Sequence, residues 1–272
     1  MRKITVVLIL CFLGPVKSQG EDWYIPKPVD LISAGAVEVG TRFSFAVNGD
    51  GVLESSRLEN GYWARYSPLS RLELYFQVPL VYARQERFDN LLNIVESSAF
   101  GLGDIFSQVS YEGFSGEDWK LIYNLDVSVP TGKNPYENRV GLGGGHYSLG
   151  LGQMAVKIVD PVALFGYIGY QHSLAGKYPI GKVQPGGDLR FKLGSAIVLN
   201  PRIRTSLYVT GDIVGKVRIN GRRLAGSSSN LVYFGWGTDW STGGFKVNVD
   251  AVFGMTKVTP DAAIIAGCSL PI

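Results

Sequence analysis

The sequence predicts an all-β fold class: a transmembrane, antiparallel, up-and-down β-barrel of about 12 strands. Apolar and polar residues alternate over runs of about 10–12 residues, longer than the ~5–6 residues of an average strand and close to the ~9–11 that a tilted membrane strand needs. The links between these runs are alternately short and long. After residue 20 no apolar run approaches the ~18 residues of a membrane helix, although the mean hydropathy is slightly positive.

The composition excludes several other classes of protein. Charged residues make up 18% and aromatic residues 12% of the 272 residues, whereas disordered chains are rich in charge and poor in aromatics. Two cysteines are too few for a small fold that depends on several disulfides, and two histidines supply few ligands for a zinc site. We therefore expect a folded protein without a metal site or cofactor.

Residues 1–20 are predicted to form a secretory signal peptide. Two basic residues precede an apolar run, 4–13, and small residues follow at Ser18 and Gly20, which is the layout of such signals. Cleavage after Ser18 and cleavage after Gly20 both stay open. Because this segment holds three of the 26 basic residues and no acidic one, the mature chain has 23 of each sign. A nucleic-acid partner is therefore not expected, since it would require a basic surface.

The mature chain begins with a short segment, 21–34, that contains Trp23, Tyr24 and two prolines. This segment is either a periplasmic N-terminal tail or a short plug that enters the lumen, and a frayed tail is the preferred interpretation. Residues 35–272 are predicted to form the outer-membrane β-barrel. Only Cys268 remains after processing, so the barrel must fold without an internal disulfide.

Strand positions follow from the period-2 pattern, in which successive side chains point to opposite faces. In one clear run Leu74 and Phe76 share one face, and Glu73 and Gln77 share the other. The clearest runs are 37–48, 72–83, 119–129, 188–197 and 245–254. Weaker strands are expected at 59–67, 103–113, 146–158, 163–172, 202–219, 231–240 and 261–272. The total is even, as in bacterial barrels.

The links between the predicted strands fall into two groups. Tight turns are expected at 67–70, 115–118, 159–161, 200–201 and 241–244, and longer links at 49–58, 84–100, 130–145, 173–187 and 220–230. The last outer link, 255–260, is short. With a periplasmic amino terminus every tight turn lies on the periplasmic side, as in outer-membrane barrels. Aromatic residues near the strand ends, such as Tyr66, Trp119 and Tyr82, fit the girdles found at both membrane interfaces.

Thirteen charged residues fall on the polar face of the predicted strands and are expected to line the lumen. They are Glu38, Arg42, Glu73, Glu112, Lys120, Asp126, Asp188, Arg190, Lys192, Arg204, Asp212, Lys246 and Asp250. One interpretation is a hydrated lumen whose charges guide solutes. The other is a ladder of interior ion pairs that fills a narrow barrel. Both interpretations stay open, and a pore strongly selective for one ion sign is not expected because both signs are present.

Four short motifs place glycine or proline at strand ends. They are the strand–turn–strand 65–82 with its Val78-Pro79 pair, Gly101–Asp104, Val129–Gly132 and Gly141–Gly145. In order and spacing they resemble the outer-membrane family of transporters named for the meta-pathway of phenol degradation, over roughly residues 60–255. The resemblance implies an outer-membrane barrel grouped with small-molecule channels and supplies no catalytic residues. It also implies passive passage of small, hydrophobic or aromatic solutes.

Three other functions stay open as alternatives. The first is a closed outer-membrane barrel with a structural or adhesive role and no transport. The second is an outer-membrane hydrolase built on His146 and Ser148, which resemble the His-x-Ser pair of outer-membrane phospholipases. No Asn follows at that family's spacing, and the pair faces the predicted lumen rather than lipid, so we expect no enzyme and no catalytic residues. The third alternative is a soluble, lipocalin-like container.

The carboxy terminus has the sequence pattern of the last strand of an outer-membrane barrel. Gly267, Leu270 and Ile272 resemble the signal that the barrel-assembly machinery reads in the last strand, which makes that machinery and outer-membrane lipid the expected partners. The usual terminal aromatic residue is replaced by Ile272. Pro271 cannot donate a ladder hydrogen bond, so recognition or closure is expected to be weak at this edge.

Overall fold

The computed structural model describes residues 31–49, 54–88, 94–242, 244–256 and 259–272. The predicted signal peptide and residues 21–30 of the predicted tail therefore lie outside the described residues. Within the described ranges, no helix is long and apolar enough to cross a membrane.

The described chain forms 17 strands. In chain order they are β1 (Val37–Gly49), β2 (Glu54–Leu69), β3 (Leu72–Phe88), β4 (Ile94–Leu102), β5 (Ile105–Ser115), β6 (Trp119–Val129), β7 (Ser148–Val159), β8 (Val162–Ser173), β9 (Gly176–Tyr178), β10 (Gly181–Gln184), β11 (Asp188–Asn200), β12 (Ile203–Val214), β13 (Arg218–Ile219), β14 (Arg222–Arg223), β15 (Ser229–Ser241), β16 (Lys246–Gly254) and β17 (Ala262–Pro271).

Thirteen of these strands close into an antiparallel barrel, in the order β2-β1-β17-β16-β15-β12-β11-β8-β7-β6-β5-β3-β4, with β2 also paired to β3. β4 and β5 are two parts of one barrel strand, because both pair with the same side of β3. β1 pairs with β17, with Phe43 opposite Ala266, so the sheet has no free edge at its ends. The predicted twelve-stranded antiparallel barrel is confirmed.

The two faces of the barrel differ as the alternation predicts. In β3, Leu74 and Phe76 are 41% and 48% exposed, whereas Glu73 and Gln77 are 3% and 6% exposed. Apolar side chains therefore cover the outside and polar side chains fill the inside. A soluble β protein has the opposite arrangement, so the exterior is suited to lipid hydrocarbon.

Two of the predicted outer links, 49–58 and 84–100, are mostly strand. β2 begins at Glu54, β3 continues to Phe88 and β4 begins at Ile94. The alternation of apolar residues fades above the lipid, because both faces of a strand meet water there, but backbone pairing continues. The predicted boundaries were wrong because they followed the apolar pattern alone.

Four short strands form a second sheet at the outer mouth, in the order β14-β13-β10-β9. The predicted links 173–187 and 220–230 therefore contain strands, and the predicted strand 202–219 is two strands separated after β12. The separation occurs where two backbones meet: a Cβ on Gly186 would lie 2.0 Å from the carbonyl oxygen of Gly215. We call these four strands the outer sheet.

Candidate functional site

The strongest cluster of charges in the lumen surrounds Glu38, near the periplasmic end of β1. Its carboxylate is 2% exposed and accepts hydrogen bonds from Arg65, from Lys246 Nζ at 3.0 Å and from Ser269 Oγ. Arg65 also lies 3.5 Å from Glu73 Oε2. One arginine of β2 and one lysine of β16 thus compensate two carboxylates, which a buried position requires.

A second group of charges lies on β11 and its neighbours. Arg190 Nε lies 2.7 Å from Asp188 Oδ2 and 3.7 Å from Asp212 Oδ1. Further toward the periplasm, Arg204 Nη2 lies 2.7 Å from Asp239 Oδ2. Charges of opposite sign therefore pair within β11 and across neighbouring strands rather than forming a ring of one sign.

A buried lysine lies on the barrel wall between the ion pairs of Arg190 and Arg204. Lys192 is 2% exposed, and its Nζ lies 3.7 Å from the ring centroid of Tyr208, a cation–π contact. The Tyr208 hydroxyl lies 3.4 Å from Asp250 Oδ1. This chain of contacts links β11, β12 and β16 across the lumen wall.

The other predicted lumen residues lie on the inner faces of β1, β5 and β6. Asp126 Oδ1 accepts a hydrogen bond from Gln108 Nε2 at 2.8 Å. Arg42, Glu112 and Lys120 are half-buried and occupy inward positions of β1, β5 and β6 by the strand registers. Whether the thirteen charges line a conducting pathway stays a prediction.

An apolar cluster occupies the periplasmic half of the lumen, on the wall formed by β6, β7, β8, β11 and β12. Its buried members are Ile122, Met154, Val156, Phe165, Ala196 and Tyr208. Leu31 packs against this cluster, and the Ile32 amide donates to Glu73 Oε2 at 3.1 Å. The described end of the predicted tail therefore contacts inward-facing side chains on two walls of the barrel.

A loop fills part of the outer half of the lumen. Residues 130–147, which we call the inner loop, connect β6 and β7. Leu142 is fully buried and, with Val140, packs against Val81 and Ala83 on the inner face of β3. The sequence predicted a link of this length but not its inward course.

Two polar residues anchor the inner loop. Asp104, between β4 and β5, accepts hydrogen bonds from Gly132 N at 3.0 Å and Gly144 N at 2.6 Å. Arg57 Nη2 donates to the Leu142 carbonyl at 2.7 Å. A Cβ on Gly143 would lie 2.0 Å from Asp104 Oδ1, so the glycine-rich sequence permits this close approach.

His146 joins the inner loop to the outer sheet. The Tyr178 hydroxyl donates to the Gly145 carbonyl and lies 3.0 Å from His146 Nδ1. Because that hydroxyl has one proton, Nδ1 must donate, and Nε2 of the neutral imidazole is then an acceptor. Burial lowers the pKa of His146 to about 4, and Tyr136 contacts its ring at 5.2 Å between centroids.

A cavity of about 470 Å³ remains between the inner loop and the barrel wall. Its lining includes Arg57, Ala83, Tyr136, His146, Gln171 and Asp188. His146 Nε2 and Asp188 Oδ1 are buried without a hydrogen-bond partner among the described residues. The cavity therefore offers acceptors to a solute or to water within a partly apolar wall.

The predicted His146 and Ser148 pair is divided between loop and strand. The structure begins β7 at Ser148, so His146 lies in the inner loop rather than on the predicted strand 146–158. Ser148 Oγ accepts from Gln171, whereas His146 bonds to Tyr178. The described hydrogen bonds of the pair thus go to different partners, and hydrolysis stays an untested hypothesis.

Several residues of the site were not predicted. Arg65 and Asp239 complete ion pairs, and Asp104 and Arg57 hold the inner loop. Arg65 is adjacent to the outward-facing Tyr66 on the predicted strand 59–67, so the same alternation places Arg65 on the inward face. Asp104 belongs to the motif Gly101–Asp104, but neither it nor Arg57 carried a signal for its partners, which are backbone groups of a distant loop.

The fold is similar to that of solved outer-membrane barrels. An outer-membrane channel from Pseudomonas putida F1 matches with a TM-score of 0.73 at 12% identity, covering 91% of this chain and 99% of that one. The translocator domain of the autotransporter NalP from Neisseria meningitidis gives a TM-score of 0.52 at 12% identity, covering 89% and 90%. The β domain of the Bordetella autotransporter BrkA gives 0.51 at 12% identity, covering 88% and 99%. No protein-family model matches the chain.

At this identity the likeness shows the fold alone. The closed antiparallel barrel and its apolar exterior place the protein in a bacterial outer membrane. The soluble-container alternative was therefore wrong, because a soluble barrel would present polar side chains outward.

Proposed function

We propose that the protein is an outer-membrane channel for the passive passage of small solutes. The observation that carries the proposal is the cavity of about 470 Å³ in the outer half of the lumen. One side of this cavity is a loop held in place by Asp104 and Arg57. Tyr136, Val140 and His146 of this loop line the space and leave it open.

The route would lead from this cavity to the periplasmic half, where Leu31 and the apolar cluster narrow the lumen. Passage would be driven by the concentration gradient alone. Because the inward charges are paired with opposite signs, we expect weak discrimination between anions and cations.

The solute is proposed to be small and hydrophobic or aromatic, as in the meta-pathway transporter family that the motifs resemble. Two features of the structure support this choice. The cavity wall includes the ring of Tyr136 and the side chain of Ala83, and the apolar cluster lines one wall of the periplasmic half.

Reconstitution into planar lipid bilayers tests the proposal. We expect discrete conductance steps with little ion selectivity, and faster swelling of proteoliposomes in small neutral solutes than of protein-free liposomes. Absence of both conductance steps and swelling would show a sealed barrel and favour the structural or adhesive alternative.

We also propose that the last strand is the segment read by the barrel-assembly machinery. Leu270 and Ile272 are 54% and 79% exposed on the outward face. The Ile272 amide still donates to the Val37 carbonyl at 2.8 Å, one residue beyond Pro271. Closure of the barrel thus continues past the proline.

A further inference from the structure

The links that form the outer sheet are strongly basic. Residues 173–187 and 215–230 contain six basic residues and no acidic residue. The six are Lys177, Lys182, Lys216, Arg218, Arg222 and Arg223. The full chain is nearly balanced, with 26 basic and 23 acidic residues, so this local excess is not a consequence of composition.

The strand registers bring four of these cations to one face of the outer sheet. Lys182 lies opposite Lys177, and Arg218 lies opposite Arg223. Gln184 lies opposite Arg218, which puts both pairs on the same side, since residues i and i+2 share a face. All four side chains are exposed. We call these four residues the basic face.

The opposite face of the outer sheet packs toward the lumen. Val183 is fully buried, and Tyr178 hydrogen-bonds to Gly145 and His146 of the inner loop. Because the two faces of a sheet point in opposite directions, the basic face points away from the barrel axis. The side-chain oxygen of Asn220 accepts a hydrogen bond from the Lys182 backbone amide at 2.9 Å, and the Asn220 backbone amide donates to the Lys182 carbonyl at 2.8 Å. These two bonds hold β10 in place.

The basic face lacks compensation within the described chain. None of its four cations forms an ion pair with a described residue. Like charges placed directly opposite each other in a sheet repel. A multivalent anion outside the barrel would relieve this repulsion, and two arginines offer the planar donors that suit phosphate oxygens.

The position of the basic face identifies one such anion. The outer sheet continues from the outer ends of β8, β11 and β12, just beyond lipid-facing residues such as Tyr170, which is 52% exposed. At this height the outer leaflet of the outer membrane presents the phosphate groups of its glycolipid. We propose that the basic face binds the phosphate groups of lipopolysaccharide. This inference does not depend on transport by the barrel.

The experiment measures binding of a deep-rough lipopolysaccharide to the refolded barrel in a neutral maltoside detergent. The variants are Arg218→Gln/Arg223→Gln and the same pair combined with Lys177→Gln/Lys182→Gln. The matched control removes two exposed cations of the inner loop, Lys133→Gln/Arg139→Gln. Heat-modifiable migration on gels confirms that each variant is folded. The enzymatically dephosphorylated glycolipid serves as the second probe.

We expect the four-site variant to bind the phosphorylated glycolipid at least about tenfold more weakly, with an intermediate loss in the two-site variant. The control should bind as the wild type does, and added salt should weaken wild-type binding. The inference would be overturned by equal affinity of the four-site variant and the wild type, by an equal loss in the control, or by tight binding of the dephosphorylated glycolipid.

Discussion

The two halves of the lumen are filled in different ways. In the periplasmic half, side chains of the barrel strands occupy the interior, as ion pairs around Glu38 and as an apolar cluster around Ile122. In the outer half, the inner loop enters from above and is held by Asp104. The side chains that fill the periplasmic half follow from the alternation within each strand. The filling of the outer half depends on contacts between segments that are distant in sequence.

This difference has consequences for stability and for transport. Buried ion pairs couple several strands, so a change in the periplasmic half should weaken the entire barrel. The inner loop is joined to the barrel by a few hydrogen bonds, so a change there should alter the pore more than the fold.

The largest expected effect is on stability, from Glu38→Gln. This substitution removes the buried carboxylate that faces Arg65 and Lys246, although Arg65 keeps Glu73 as a partner and Lys246 is 41% exposed. We expect the free energy of unfolding to fall by about 3 kcal/mol, the lower end of the range for a broken buried pair, because both cations stay partly compensated. Urea titration of the barrel in lipid vesicles measures the change.

Glu96→Gln is the matched control for this prediction. Glu96 is paired with Arg84 at 2.9 Å, but both side chains are exposed. We expect a loss of no more than about 1 kcal/mol. Equal losses in the two variants would contradict the proposed difference between the halves.

A smaller effect on stability is expected from Asp104→Asn. The substitution removes the charge that accepts the Gly132 and Gly144 amides, and hydrogen bonds to charged groups contribute roughly 1.5–3 kcal/mol. Amide hydrogen exchange should accelerate in residues 132–145 while the strands stay protected. Unchanged exchange in that segment would show that Asp104 is not its anchor.

The inner loop should also respond to pH through His146. Its pKa is lowered to about 4 by burial, whereas an unfolded histidine titrates near 6.5. When the inner loop is detached from the barrel it therefore binds more protons between these values, and the stability of the attached loop should fall as pH decreases from about 6.5 to about 4. Below about pH 4 the loss should level off.

Hydrogen exchange of the inner loop across this pH range, corrected for intrinsic rates, measures the effect. His146→Phe should abolish the pH dependence, whereas His172→Phe, at the other histidine of the chain, should leave it in place. A pH dependence that survives in His146→Phe would assign it to a different group.

The smallest expected effect on stability is that of Leu31→Ala. Leu31 is half-buried against the apolar cluster, so we expect a loss of about 1 kcal/mol, below the ~2–5 kcal/mol of a fully buried leucine. Conductance should rise because the periplasmic half becomes wider. Leu149→Ala, on the lipid-facing side of β7, is the control and should conduct as the wild type does.

The contrast between the halves also explains what the sequence could predict. Alternation in β3 places Glu73 inward and Phe76 outward, and the structure has the same arrangement. β2 was harder to interpret because a polar residue, Asn60, lies opposite Phe43 on the lipid-facing side. The side-chain amide of Asn60 forms hydrogen bonds with the hydroxyl groups of Thr41 and Tyr62. These bonds satisfy a polar group at a lipid-facing position, where the alternation predicts an apolar residue.

The outer half was not predictable in the same way. Gly141–Gly145 has the composition of any flexible loop, and its inward course depends on Asp104, 40 residues before Gly144. The outer sheet likewise forms between two links separated by β11 and β12. Period-2 patterns report which face of a strand is buried, and they carry no information about where a loop folds.

Single-channel conductance tests the central claim most directly. The comparison is between the wild type and a variant in which residues 134–143 are replaced by two glycines, both in the same planar bilayers. The structure predicts conductance steps in the wild type and larger steps in the variant, because the inner loop narrows an open lumen. Steps of equal size, or no steps in either protein, would contradict the account.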